Sequence, residues 1–74
     1  MDNPVKKASV HGFPLTYEEE AKNGVSYLTY SLGQAETKVF FDQARLKGSA
    51  AFEDKEGRDY TLIYKNGAYI LFKK

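Results

Sequence analysis

Apolar, strand-forming residues cluster most clearly in the last third of the chain. Tyr60-Thr61-Leu62-Ile63-Tyr64 and Ala68-Tyr69-Ile70-Leu71-Phe72 flank Asn66-Gly67, a pair that tolerates positive φ and closes a two-residue hairpin turn. Upstream, Asp54-Lys55-Glu56-Gly57 has the composition of a second turn, with Gly57 in the left-handed position. The pattern predicts a three-stranded antiparallel meander over about 49–54, 58–64 and 68–73.

The middle of the chain changes period. From Gln34 to Lys47 the residues are mainly good helix formers, with Ser31 placed for a capping box on Gln34, Arg45 and Lys47 in the last turn, and Gly48 as the stop. Val39, Phe40 and Ala44, with Ala35, Phe41 and Leu46 at the margins, make a broad apolar stripe. This predicts a main helix over about 33–47, against a competing strand at 38–41, because Val39-Phe40-Phe41 alone favours extended structure. Val25 to Leu32 is rich in β-branched and aromatic residues and is expected to be a further strand, about 25–32. Segment 16–24 carries two patterns: a short helix started by Thr16-Tyr17-Glu18-Glu19 and stopped by Asn23-Gly24, or one arm of a hairpin turning at Asn23-Gly24. Ser9 to Leu15 reads as extended, since Pro14 pushes Phe13 out of the helical region. Residues 1–8 are polar, contain Pro4 and read as a flexible tail.

The expected class is α+β: one main helix packed on an antiparallel sheet that ends in the meander, in a single domain over 9–74. The alternative is a small all-β barrel. In the register set by Asn66-Gly67, one face carries Tyr60, Leu62, Tyr64, Tyr69 and Leu71, and the other Thr61, Ile63, Ala68, Ile70 and Phe72. A three-residue Lys55-Glu56-Gly57 loop adds Phe52 opposite Tyr60 and Ala50 opposite Leu62. Both faces are apolar, and one helix cannot cover both. Either the N-terminal segment with Phe13, Leu15 and Tyr17 or barrel closure covers the second face, or the tyrosine-bearing face meets a partner, because tyrosine combines apolar area with a polar tip.

Composition narrows the chemistry. Seventy-four residues leave room for one core, and the absence of cysteine removes disulfides and thiolate metal sites, which suits a reducing, cytoplasmic setting. No signal-peptide pattern or membrane-length apolar run occurs, so no membrane partner is expected. Net charge is +1, with −2 up to Thr37 and +3 beyond it, too mild an asymmetry to single out nucleic acid. His11 is the only histidine and has no cysteine to pair with, so a solvated or capping role is expected. Glu18, Glu19 and Glu20 fan apart on a helix and alternate on a strand, and cannot converge on one cation.

No catalytic or metal motif emerges and no cofactor is expected. The sequence is read as a small non-enzymatic module that binds a protein partner or a second copy of itself, through Tyr60, Tyr64, Tyr69, Leu71 and Lys65. A nucleic-acid module stacking bases on the tyrosines is the second reading, and a small carboxylate-dependent enzyme the third. Whether a small molecule binds is left open. Because the register hangs on the Asn66-Gly67 turn, Gly67→Val is expected to lower stability by more than about 1 kcal/mol. Denaturant midpoints of variant and parent check this, and equal midpoints would remove the hairpin.

Overall fold

The computed structural model describes residues 5–74, and positions 1–4 of the expected tail lie outside them. The described residues begin with a hairpin that the sequence pattern did not predict: strand β1 (Val5–Val10) pairs antiparallel with β2 (Phe13–Glu18). The two residues between them, His11 and Gly12, both adopt positive φ, at 50° and 87°, the geometry that suits the twist of paired strands. The expected tail is therefore corrected over residues 5–8, which form strand, with Lys6, Lys7 and Ala8 opposite Tyr17, Thr16 and Leu15.

A continuous helical segment follows. A 3-10 turn (Glu19–Ala21) leads into α1 (Lys22–Ser26), which runs on into a π-helical turn (Tyr27–Ser31). This corrects the strand expected over 25–32 and the hairpin reading of 16–24; the short-helix reading holds from Glu19 on, with Thr16 to Glu18 in strand and the helix running past Gly24. The buried positions Ala21, Gly24 and Leu28, with Val25 and Leu32 packed beside them, recur at helical spacing. Packing of that stripe overrides the β propensity of the individual residues. The Thr29 hydroxyl donates to the Val25 carbonyl at 2.8 Å, so this β-branched residue folds back onto the helix. Asn23-Gly24 neither stops the helix nor turns a hairpin.

Helix α2 (Gln34–Lys47) starts at Gly33 and stops at Gly48, close to expectation. Its start differs in detail: the Gly33 amide donates to Glu36 Oε1 at 3.1 Å, so Glu36 completes the N-terminal cap rather than Ser31 with Gln34. The buried stripe is Thr37, Phe41 and Ala44, with Phe40 half-buried. Phe41 is the centre of that stripe, whereas Val39 and Leu46 point to solvent at 61% and 80% exposure.

The meander is β3 (Ser49–Glu53), β4 (Asp59–Lys65) and β5 (Ala68–Lys73), in the expected register with Phe52 opposite Tyr60, Ala50 opposite Leu62 and Lys65 opposite Ala68. The five strands lie in the order β1-β2-β5-β4-β3. β2 and β5 run parallel, paired at Thr16 with Ile70 and Tyr17 with Leu71, so the sheet is mixed rather than purely antiparallel. With β1 and β3 as separate edges, the sheet does not close into a barrel.

Both helical elements lie on the same face. Phe41 stacks on Phe13 (centroids 4.6 Å) and meets Tyr69 edge-on (4.7 Å), while Phe40 and Tyr27 pack on Phe52. Tyr60, Leu62 and Leu71 beneath them are fully buried. The backbone of Gly24 lies on the Tyr60 ring, where a Cβ would sit 2.8 Å from Cδ1. Alanine is ordinarily the better helix residue by about 1 kcal/mol. Here that sign should reverse: Gly24→Ala forces the ring or helix to move, and a net loss of about 1–2 kcal/mol is expected from denaturant titration.

Candidate interaction surface

The tyrosine-bearing face is the inner face of the sheet. Tyr60 and Leu71 have no accessible surface, so neither offers a partner anything to touch. Tyr64 and Tyr69 are half-buried, with ring centroids 4.9 Å apart, and Tyr69 is also covered by Phe41. The structure thus brings Tyr60, Tyr64, Tyr69 and Leu71 together, but beneath the helices. Lys65 is exposed and, next along β4 from inward-facing Tyr64, belongs to the opposite face.

That outer face carries the chain's remaining apolar sheet residues. Ile63 stands directly opposite Ile70, and Thr61 opposite Phe72, all four partly exposed. Thr16 adjoins Ile70 from β2, and Ala51 adjoins Thr61 from β3. No helix of the described residues packs on this side. Beside the patch, β2 and β5 pair at only two positions and splay toward their N-terminal ends, leaving a slot of about 280 Å³ edged by Pro14, Thr16, Gly67, Ala68 and Tyr69. Sequence reasoning named both faces but favoured the tyrosines for their amphipathic character. The deciding signal lay in segment 19–31: read at helical spacing, it supplies a second helix and covers the aromatic side.

Charges border the patch at opposite ends of the strands. Lys65 lies at the Asn66-Gly67 end of β4, and Lys7 on β1 faces outward opposite Thr16. At the far end Glu53 and Asp59 are direct cross-strand neighbours, both exposed, a like-charge pairing that costs stability. The ion pairs among the described residues join Lys6 to Glu19, Lys38 to Asp42 and Arg58 to Asp54, and none involves these four side chains.

One buried carboxylate is tied into the fold by its hydrogen bonds. Asp54, 8% exposed, sits at the start of the β3–β4 turn. Its Oδ1 accepts the amides of Glu56 and Arg58 at 2.9 and 3.0 Å, and its Oδ2 accepts Arg58 Nε and the Tyr60 hydroxyl, each at 2.8 Å. Four donors use the carboxylate's full accepting capacity. Desolvation alone would raise its pKa, but the Arg58 guanidinium, the Arg58 amide, the Tyr60 hydroxyl and the Glu56 amide outweigh it and hold the group well below the usual carboxylate range. A carboxylate so engaged carries no proton at neutral pH and presents no free lone pair to a substrate. It does line a shallow cleft of about 260 Å³, shared with Tyr27, Tyr30 and Arg58. Tyr30 is 85% exposed there.

His11 caps a helix end. Its Nε2–H is shared between the carbonyls of Leu28 and Leu32, each at 3.0 Å, and the Thr37 hydroxyl donates to the same Leu28 carbonyl at 3.1 Å. The π turn makes this possible: Leu32 N–H bonds Tyr27 O, five residues back, which releases Leu28 O for side chains. No group of three or more metal-ligating side chains occurs among the described residues. No helix among them is long and apolar enough to cross a membrane.

The Asp54 cluster makes a prediction with a definite sign. A carboxyl whose folded pKa is depressed stabilises the fold above its unfolded pKa, about 3.9, and loses that contribution as pH falls through the folded value. Wild-type stability should therefore drop steeply below about pH 4. Asp54→Asn should cost about 2 kcal/mol at neutral pH, most of it from the buried Tyr60 bond because Arg58 is partly solvated. It should also show a shallower acid limb when stability is measured by denaturant titration from neutral to acid pH. An acid limb as steep as the parent's would remove Asp54 as its source.

No family model, no curated protein and no solved structure matches this chain, and its own surfaces are what bear on its function.

Proposed function

We propose that this chain is a small non-enzymatic module that binds protein through the outer face of its sheet. The observation that carries this reading is the one-sided placement of the helices, which leaves Ile63, Ile70 and Phe72 grouped on a face that no described element covers. A chain of this size has little apolar surface to spare for its core, and a contiguous apolar patch with a charged rim is what a docking surface requires. Of the residues first singled out for binding, Lys65 borders this patch, whereas Tyr64 and Tyr69, half-buried, face the opposite, helix-covered side. A cytoplasmic setting suits a chain without cysteine.

The other two readings have less behind them. Base stacking needs open rings, and Tyr60 has none of its surface accessible. The cations Lys7 and Lys65 share their face with Glu53 and Asp59 and form no basic track. Among the described carboxylates, only Asp54 is buried, and its four bonds commit it to the turn.

Ile63→Thr combined with Ile70→Thr keeps β-branched residues on the strands while halving the apolar area they offer. The double variant should stay within about 1 kcal/mol of the parent in stability. In parallel affinity captures from native lysate, proteins retained by the parent should be lost on the variant. Identical retention by the two baits would overturn the reading.

A further inference from the structure

We infer that the partner of the outer face is a second copy of this chain, packed face to face with its strands antiparallel to the first. The inference rests on reading that face as the docking surface, and adds what occupies it. The placement of charge carries it. Lys65 and Asp59 stand at opposite ends of β4, six residues and roughly 20 Å apart, and both face outward. Neither has an ion-pair partner among the described residues, and Asp59 is set directly against Glu53, another unpaired carboxylate.

Two two-fold axes lying in the interface would bring this face onto itself. An axis along the strands preserves strand direction, and sets Lys65 near its own copy and the Glu53–Asp59 pair near its own copy. An axis across the strands, passing over the middle of β4, reverses strand direction. It brings Lys65 of each copy over Asp59 and Glu53 of the other, and Phe72 of each over Ile70 of the other. The first arrangement stacks like charges twice, whereas the second answers both unpaired ends at once. Such charges contribute little to affinity when solvated, but like-charge contact suffices to select the orientation. Nearly aligned strands are also the ordinary way for two sheets to pack face to face.

Area points to a weak association. Five strands spaced about 4.8 Å apart and about 18 Å long present on the order of 400 Å² per copy. That is below the standard size of stable interfaces and suits a transient one, so self-association is expected only toward the upper micromolar range.

Sedimentation of the full chain from about 10 µM to about 1 mM tests this across the expected range. The parent should pass from monomer to dimer. Lys65→Glu and Asp59→Lys should each weaken association at least about fivefold. The double variant K65E/D59K should restore it, because the swapped charges again meet across the two-fold. Both substitutions are at exposed positions, and denaturant midpoints of the three variants check that the monomers remain folded. A parent that stays monomeric throughout overturns the second copy as occupant, while the docking face is still judged by the lysate comparison. A dimer that Ile63→Thr with Ile70→Thr leaves unchanged overturns both the inference and the docking face. A dimer weakened by that pair but indifferent to Lys65→Glu, or not restored by the double swap, overturns the antiparallel arrangement.

Discussion

The Tyr60 side chain is fixed at its face and at its tip, and the rest of the domain is arranged around it. One side of the ring takes the bare backbone of Gly24, a neighbouring ring, Phe52, lies 5.3 Å away by centroids, and the hydroxyl donates to Asp54 at 2.8 Å. This single residue therefore joins α1, the central part of the sheet and the β3–β4 turn. A fully buried tyrosine needs a partner for its hydroxyl, and the carboxylate that supplies it is the same group that organises the turn through two backbone amides. Helix packing, strand register and turn geometry thus meet at one site, and each limits what the others can do.

From that site follows the division of the sheet into two unequal faces. Because Gly24 has to lie against Tyr60, the helical segment is drawn onto the side of the sheet where α2 also packs. Two aromatic groups fill the layer between them: Phe13, Phe41, Tyr69 and Tyr64 toward the β1–β2 side, and Tyr27, Phe40, Phe52 and Tyr60 toward β3. Among the described residues, no buried side-chain nitrogen or oxygen is left without a partner. The aromatic residues that suggested a binding face are spent on the core. What remains uncovered is aliphatic Ile63 and Ile70 with Phe72, a surface left over once the helices have chosen their side.

The parts of this architecture that were legible in the sequence are those set by local chemistry. Asn66-Gly67 determines the β4–β5 register, the three-residue loop after Asp54 determines β3–β4, and Gly48 closes α2, each through a backbone conformation that few residues tolerate. Segment 25–32 was misread because its identity is decided at a distance. Val25, Tyr27 and Thr29 favour strand individually, and their helical period becomes apparent only when Ala21 and Gly24 are included as buried positions. Gly24 reads as a breaker until its contact with Tyr60, thirty-six residues away, supplies the reason for it. The β1–β2 hairpin was missed for a related reason. His11-Gly12 is a weaker turn signal than Asn66-Gly67, and what favours it is the bond from His11 to the two carbonyls of the π turn. The candidate surface inherited the same error: its composition was visible, but which face lay uncovered depended on the misassigned helix.

The parallel contact between β2 and β5 shows how little main-chain bonding the N-terminal hairpin needs. With register pairs only at Thr16–Ile70 and Tyr17–Leu71, the ladder that joins the hairpin to the meander is short, and side chains add to it. Phe13 stacks on Phe41, Leu15 is buried, and His11 reaches over to the end of the π turn. A longer ladder would close the slot between Pro14 and Ala68 and make the sheet more regular. The short one leaves a recess at the margin of the outer face. The N-terminal hairpin is thus held by inner-face contacts such as Phe13 on Phe41, while the recess beside it is lined by Pro14, Thr16, Gly67 and Ala68.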